Sequence, residues 1–273
     1  MGDNGLVMAG RLTTEWKQFK DNTGYAGLQH AFKENIMKQI TYARIGRLAV
    51  VAIALVVCAA TAHAETRVAC VGDSITAMGG PKKKNNYPSQ LGEILGDQYQ
   101  IGNFGSSGAC ALDEDKHSYL QSKQYQQALE FKPHVVVMML GTNDSRQKFW
   151  PKHKDNFVDT YVKIIKSFQG LETKPAIWLC YPPKAYSGKF GLNDDNIKNE
   201  IIPKIDEVAK KVGAKVIDIH TLTSNREEMF SDGIHPTPEG SRYLAENVAA
   251  ALLGKADKKK AADKPQEVDK AAK

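Results

Sequence analysis

The stretch "HVVVMML", residues 134–140, decides the fold, and Gly-Thr-Asn-Asp follows it at residues 141–144. From Val135 onward this stretch is apolar, without the alternation that one solvent-facing side would impose. Such a run is typical of a strand that is buried on both faces, as strands are in parallel sheets covered by helices. The sequence therefore predicts a central parallel strand here.

Strand-like and helix-like segments alternate on both sides of this central strand. The other predicted strands are residues 67–71, 100–104, 176–180 and 215–219, and the predicted helices are residues 87–95, 125–131, 157–168, 196–212 and 238–253. Thr237 is the expected N-cap of the last helix, with Pro238 at its first position. This order predicts a three-layer α/β/α fold, in which a five-stranded parallel sheet lies between two layers of helices.

The two ends of the chain differ from the segment between them. Seven Lys/Arg against four Asp/Glu in residues 1–64, and the same counts in residues 254–273, account for the whole net charge of +6. Residues 65–253 are therefore neutral and carry no basic stripe, which argues against a nucleic-acid partner. Residues 255–273 are rich in Lys, Ala and Asp without any aromatic residue, and we expect a disordered tail.

Residues 37–64 have the pattern of a secretory signal peptide. Lys38, Arg44 and Arg47 precede an apolar run at residues 48–62, and Ala62-His63-Ala64 is typical of a cleavage site. The run is shorter than the roughly 20 residues of a membrane span. We expect export to the periplasm or the medium without a membrane anchor after cleavage, although an uncleaved signal anchor stays an alternative. Residues 1–36 fit an over-extended N-terminus that precedes a start at Met37.

Three cysteines follow the predicted signal peptide, and an odd number leaves at least one thiol unpaired. Cys70 and Cys180 lie in apolar strand-like runs, which favours buried free thiols, whereas the pairing of Cys110 stays open. The sequence has no CxxC and no H-E-x-x-H spacing, so it indicates neither a metal site nor a cofactor.

Polar residues follow several of the predicted strands, at the sheet edge where ligands bind in such folds. Acyl transfer needs a hydroxyl nucleophile, a base, a group that orients the base and donors to the oxyanion. Ser74 supplies the hydroxyl and His235 the base, with Asp232 to orient it. The N–H groups of Ser74 and Gly105 and the side-chain amide of Asn143 are the expected oxyanion donors.

Four blocks make the chain resemble the SGNH (GDSL) hydrolase family, whose flavodoxin-like fold we therefore expect over residues 65–254. They are G-D-S at residues 72–74, N-x-G-x-x-G at 103–108, G-T-N-D at 141–144 and D-x-x-H-P at 232–236. The resemblance implies Ser74, Asp232 and His235 as the catalytic residues and Ser74, Gly105 and Asn143 as the oxyanion hole. Ile75 replaces the leucine of the four-letter name. Within the family, "GTNDSRQKFW" and "NYPSQLGEILG" are most similar to carbohydrate O-acetylesterases of the sialate and xylan type.

Five further residues near strand ends are candidates for substrate binding: Asp73, Asp144, Arg146, Trp150 and Tyr181. Either aromatic residue could stack on a sugar ring or simply pack in the core, and Arg146 could form a surface ion pair instead. The sequence predicts a secreted serine esterase that removes acetyl groups from an acetylated carbohydrate. A lysophospholipase or thioesterase on the same fold, and an inactive carbohydrate-binding protein, stay open as alternatives.

Overall fold

A computed structural model describes residues 65–254 throughout and residues 14–39 in part. The chain divides into two units, Met1–His63 and Ala64–Lys273, and the second contains the sheet and all the predicted site residues. The predicted tail and, apart from the helical residues 37–39, the predicted signal peptide lie outside the described residues. No helix within the described residues is long and apolar enough to span a bilayer.

Five parallel strands form one sheet in the order β2-β1-β3-β4-β5, which confirms the predicted α/β fold. The strands are β1 (Thr66–Gly72), β2 (Tyr99–Gly105), β3 (Val135–Met139), β4 (Ala176–Cys180) and β5 (Lys215–Ile217). Gly72 at the end of β1 is level with Gly105 of β2 and Met139 of β3. The loops that leave these three strands therefore start side by side at one edge of the sheet.

Helices cover both faces of the sheet. The helices are α1 (Ser74–Ala77), α2 (Tyr87–Leu95), α3 (Lys123–Glu130), α4 (Trp150–His153), α5 (Phe157–Gln169), α6 (Asp194–Asn196), α7 (Ile202–Val212), α8 (Ile219–Thr223) and α9 (Pro238–Leu252). Buried residues of α3, α5 and α7 form one core cluster, and those of α2 and α9 form the other. Three layers result, as the alternation of segments predicted.

The strands contribute alternate residues to the two core clusters. Ala69 and Val71 of β1 face the α5 side, whereas Val68 and Cys70 face the α2 side. Because successive strand residues point to opposite faces, a strand covered on both sides must be apolar throughout. Cys70, Cys110 and Cys180 are all buried and free, in agreement with the prediction for Cys70 and Cys180.

Side-chain caps explain where several elements begin and end. The hydroxyl of Thr237 accepts the N–H of Gly240 at 3.1 Å, which confirms Thr237 as the N-cap of α9. The predicted fifth strand ends at Ile217 rather than at residue 219, because the Asp218 carboxylate accepts the N–H of Thr221 at 2.9 Å and begins α8. A π-helical turn, Ile197–Ile201, joins α6 to α7 within the predicted fourth helix.

Candidate active site

Ser74 lies at the junction of β1 and α1, where the chain turns sharply. A Cβ on Gly72 would lie 2.2 Å from the Thr76 hydroxyl oxygen and 2.7 Å from the carbonyl oxygen of Met139, so only glycine fits there. The Asp73 carboxylate then caps α1 by accepting the N–H of Ile75 at 2.9 Å. Together these residues place Ser74 as the first residue of a helix, where its own N–H has no partner within that helix.

Ser74, His235 and Asp232 form a continuous hydrogen-bonded row. The Ser74 Oγ lies 2.9 Å from His235 Nε2, and His235 Nδ1 lies 2.8 Å from Asp232 Oδ2. With its proton on Nδ1, the imidazole donates to the carboxylate and accepts from the serine hydroxyl. This geometry is the one that a hydroxyl nucleophile, its base and the group that orients the base would need.

The loop that carries Asp232 and His235 is held by its own hydrogen bonds. Asp232 Oδ1 accepts the backbone N–H groups of Ile234 at 2.9 Å and His235 at 2.7 Å. Partial burial acts to raise the pKa of Asp232, but these bonds and the His235 ring lower that pKa to about 2. The carboxylate therefore stays charged at neutral pH and keeps the imidazole in one orientation.

The Asn143 side chain lies beside the loops after β1 and β2. Its Nδ2 donates to the carbonyl oxygen of Ala109 at 3.1 Å and lies 3.3 Å from Asp73 Oδ2. Arg146 fixes the same residue from the other side, since its Nε donates to the carbonyl oxygen of Asn143 at 2.7 Å. The side-chain amide of Asn143 is thus held by the loops after β1 and β2, and its backbone is held by Arg146.

Gly105 does not fit the donor role that the sequence suggested, because its N–H is buried and already donates to Asn103 Oδ1 at 3.1 Å. A Cβ at this position would lie 2.2 Å from the backbone nitrogen of Ala77, so Gly105 lets β2 pack tightly against α1. Gly108, three residues later, is partly exposed and has a positive φ of +77°. Its neighbour Ala109 contacts Asn143, so Gly108 is the better candidate for a backbone donor.

Asp73 and Asp144 were expected to bind substrate, but both are buried and serve the scaffold instead. The two oxygens of Asp144 accept the N–H groups of Ala111 at 3.0 Å and Leu112 at 2.9 Å. Burial raises the pKa of Asp73 to about 7 and that of Asp144 to about 6, despite these backbone hydrogen bonds and that of Ile75. The two carboxyls hold the loops that surround Ser74 and Asn143.

The other three predicted substrate residues also have structural partners. Trp150 is fully buried and packs its ring edge-on against Phe157, 5.3 Å between centroids, so it is a core residue. Arg146 forms an ion pair with Asp115 at 2.5 Å, as its alternative interpretation predicted. The hydroxyl of Tyr181 donates to Asp206 of α7.

Phe190 lies beside the hydrogen-bonded row of Ser74, His235 and Asp232, although the sequence gave no reason to single it out. Its ring centroid is 6.3 Å from that of His235, with the ring planes at 71°. The loop around it, residues 182–196, is polar and glycine-containing, and its two aromatic residues, Tyr186 and Phe190, form no periodic apolar pattern. A possible signal was its position between Gly188 and Gly191, which are common in tight turns.

Residues 70–243 match the GDSL-like Lipase/Acylhydrolase family, over a segment that includes Ser74, Gly108, Asn143, Asp232 and His235. The chain belongs to this family. The resemblance given by the four sequence blocks is therefore confirmed. The fold of this GDSL-like protein also agrees with the solved structure described next.

Two relatives and one solved structure illustrate the similarity. The acetylxylan esterase of Xylanibacter ruminicola is 38% identical over 206 residues, which cover 68% of this chain and 43% of that protein. The arylesterase of Vibrio mimicus is 24% identical over 205 residues, 71% of this chain and 92% of that protein. The crystal structure of the acetyl xylan esterase AlAXEase aligns with a TM-score of 0.55 at 24% identity, covering 68% of this chain and 99% of that chain.

The GDSL-like segment of this chain thus spans less than half the length of the first of these relatives. The similarity to the solved structure shows the fold, and the family match covers the segment that holds Ser74, Asp232 and His235. Activity and substrate are therefore argued from the geometry of this segment.

Proposed function

We propose that this protein is a serine esterase that removes O-acetyl groups from a carbohydrate. The observation that carries the proposal is the row from Ser74 Oγ through His235 to Asp232, with distances of 2.9 Å and 2.8 Å. A hydroxyl in line with a base whose other nitrogen is held by a carboxylate is suited to nucleophilic attack on a carbonyl.

In the proposed reaction His235 Nε2 takes the Ser74 proton while Oγ attacks the ester carbonyl. The negative charge that develops on the carbonyl oxygen is met by the N–H groups of Ser74 and Gly108 and by the Asn143 amide. His235 then gives the proton to the departing sugar oxygen, which leaves an acetyl group on Ser74. Water, deprotonated by His235, attacks this acetyl-enzyme and releases acetate, so that the serine hydroxyl is restored.

To bind the oxyanion, the Asn143 amide would give up one of its two present contacts for the carbonyl oxygen of the ester. Its 3.3 Å contact with Asp73 is the longer of the two that Nδ2 makes, so that hydrogen is the one available to a developing oxyanion. The bond to Ala109 would keep the side chain in place during the exchange. The Asn143 amide would thus be oriented before the reaction begins, as effective oxyanion donors are.

Two observations support an acetylated carbohydrate as the substrate. The relative that is 38% identical is named an acetylxylan esterase. The loop over residues 182–196 is polar rather than a long apolar surface suited to a fatty acyl chain. Polysaccharide substrates lie outside the cell, which fits the export that residues 37–64 predict.

The test compares the full chain with Ser74→Ala on nitrophenyl esters from acetate to octanoate, followed by acetylated xylan and sialic acid. Activity that is highest on acetate, extends to a sugar acetate and is lost in Ser74→Ala is the expected result. Ser89→Ala is the matched control, because that hydroxyl donates to Lys83 at 2.8 Å, outside the catalytic row.

Other outcomes would favour the alternatives that the sequence left open. A preference for octanoate would indicate a lysophospholipase or thioesterase. Binding of acetylated xylan without hydrolysis of any ester would indicate an inactive carbohydrate-binding protein. Export is tested separately, by sequencing the N-terminus of protein recovered outside the cytoplasm, where we expect Glu65 as the first residue.

A further inference from the structure

Phe190 is an exposed aromatic residue next to the catalytic base. Its side chain is 68% exposed, although large apolar side chains of this unit are mostly buried. The contact that places it in the site is with His235, whose ring it meets at 6.3 Å and 71°. Aromatic side chains that lie beside the polar groups of a site are the usual lining of ligand pockets.

The loop that carries Phe190 is held by backbone hydrogen bonds and by a buried residue next to it. Phe190 has a φ of +59°, a left-handed conformation that is unfavourable for a residue with a side chain. The loop is tied down just beyond it, because the Gly191 carbonyl oxygen accepts the N–H of Gln147 at 2.9 Å. Leu192 is buried, and the N–H of Asn193 donates to Ser145 Oγ at 3.2 Å. The ring is therefore presented at a fixed place.

The geometry of the reaction tells which part of an ester this ring would meet. The carbonyl oxygen faces the donors at Ser74, Gly108 and Asn143, whereas the departing oxygen must lie within reach of His235 Nε2 to receive its proton. Phe190 contacts the ring of His235, so it lies next to the residue that the departing alcohol must approach.

We propose that Phe190 is a specificity residue that packs against the ring of the sugar alcohol and orients it for departure. This inference rests on the proposed function and identifies the chain's own contact to the sugar. The C–H groups on one face of a pyranose ring are apolar enough to lie on an aromatic surface, and aromatic residues combine a large contact area with little conformational freedom. The sequence candidates for stacking, Trp150 and Tyr181, have structural partners instead.

The experiment uses three acetate esters that share the acyl group and differ in the alcohol: acetylated methyl xyloside, cyclohexyl acetate and ethyl acetate. For Phe190→Ala we expect a loss of about tenfold in kcat/KM on the two ring alcohols, mainly through KM, from the loss of one aromatic contact. Ethyl acetate, which has no ring, should change by less than about twofold on the same reasoning. Phe190→Trp and Phe190→Tyr should restore the ring preference.

The matched control is Leu253→Ala, which removes another exposed apolar side chain. Leu253 follows the last residue of α9, and a helix of 15 residues places it about 22 Å from the helix start near His235. This control should leave the ranking of all three esters unchanged. Circular dichroism and thermal unfolding show that each variant is folded.

Two results would overturn the role of Phe190. An equal loss on all three esters would mean that the ring only holds His235 in place. A changed preference between acetate and butyrate of one alcohol, with the alcohol ranking unchanged, would place the ring on the acyl side. Failure of the proposed function would give a different result, because the wild-type protein would then not hydrolyse the acetylated xyloside. Comparison of cyclohexyl acetate with ethyl acetate would still show whether Phe190 recognises a ring.

Discussion

Asp73 and Asn143 meet across the gap between the loops that follow β1 and β3, with Asp73 Oδ2 at 3.3 Å from Asn143 Nδ2. The contact joins the residue before the nucleophile to the side chain proposed to bind the oxyanion. Because Asp73 is buried, it cannot serve a substrate, and it positions a donor instead. The catalytic edge of this sheet is thus held together by polar groups that never touch the ester.

Removal of the Asn143 amide tests the oxyanion hole. Asn143→Ala should lower kcat by about 10²–10³-fold, because the lost donor acts chiefly on the charge that develops in the transition state. KM should change little for the same reason. Steady-state kinetics on nitrophenyl acetate measure both, and Asn85→Ala, an exposed amide, is the control. A loss of less than threefold would remove Asn143 from this role.

The two partners of the nucleophile should contribute unequally. Ser74→Ala and His235→Ala should each lower kcat by about 10⁵–10⁶-fold, whereas Asp232→Ala should cost about 10⁴-fold, because Asp232 orients the base without moving a proton. Initial rates on nitrophenyl acetate, with a Ser74→Ala background measured in parallel, give these ratios. Equal losses at His235 and Asp232 would contradict this division.

The pH dependence adds a check on Asp232. Its pKa of about 2 means that this carboxylate stays charged from pH 4 upward, so titration of Asp232 should not change the activity above pH 4. The charged Asp232 carboxylate also stabilises the folded protein. This contribution to the free energy of unfolding is present above the ordinary pKa of 3.8 and is lost as the pH falls toward 2. The contribution of Asp232 to the free energy of unfolding by urea should therefore be constant between pH 5 and pH 8 and should fall only below about pH 4.

The sequence predicted those features of the site that depend on chain order. The apolar strands fixed the sheet, and because parallel strands end at one edge, Ser74, Asn143 and His235 were expected together. Roles that depend on which atoms are already engaged were not readable. Both Gly105 and Gly108 are glycines of the same sequence block, and the structure distinguishes them by the bond from the Gly105 N–H to Asn103 and by the burial of Gly105.

Burial caused the other differences between prediction and structure. Trp150 follows β3 just as a substrate residue would, yet α4 turns its ring into the core. The nearby Asp144 likewise turns inward to hold backbone N–H groups. Phe190 was missed because an isolated aromatic residue in a polar loop has no periodicity that could indicate its direction. The local sequence indicates whether a side chain faces the core or the solvent only within helices and strands, where residues follow a periodic pattern.

The two glycines of the second block should respond differently to alanine. Gly105→Ala forces a Cβ to within 2.2 Å of the Ala77 nitrogen and should lower the free energy of unfolding by about 1–3 kcal/mol or more through overpacking. At Gly108 the nearest atom, on the His117 ring, is 3.8 Å away, so only the positive φ opposes the substitution. Gly108→Ala should thus lose only about 1–2 kcal/mol.

Urea unfolding at pH 7, followed by circular dichroism, measures both effects, with Gly80→Ala as a control that has a positive φ and no atom near its Cβ. Gly108→Ala should resemble Gly80→Ala in stability. Its kcat should nevertheless fall, because a relaxed backbone would turn the donor away from the oxyanion. A kcat unchanged in Gly108→Ala would argue against the Gly108 N–H as a donor.

Asp144 should make the stability of the protein rise as the pH falls. Its ordinary pKa is 3.8 and burial raises it to about 6 in the folded protein, so between these values only the folded state binds the proton. This contribution is complete below pH 3.8 and is lost as the pH rises through 6. Relative to Asp144→Asn, wild-type protein should gain about 1–2 kcal/mol of unfolding free energy between pH 8 and pH 5.

The matched control is Asp113→Asn, because Asp113 is a half-exposed carboxyl whose pKa is lowered, chiefly by the Ser118 hydroxyl, and which stays charged throughout this range. Its difference from wild type should be constant between pH 8 and pH 5, whereas that of Asp144→Asn should grow as the pH falls. Equal pH slopes for the two variants would mean that Asp144 is charged at neutral and mildly acidic pH. The backbone N–H groups of Ala111 and Leu112 would then offset the whole effect of burial.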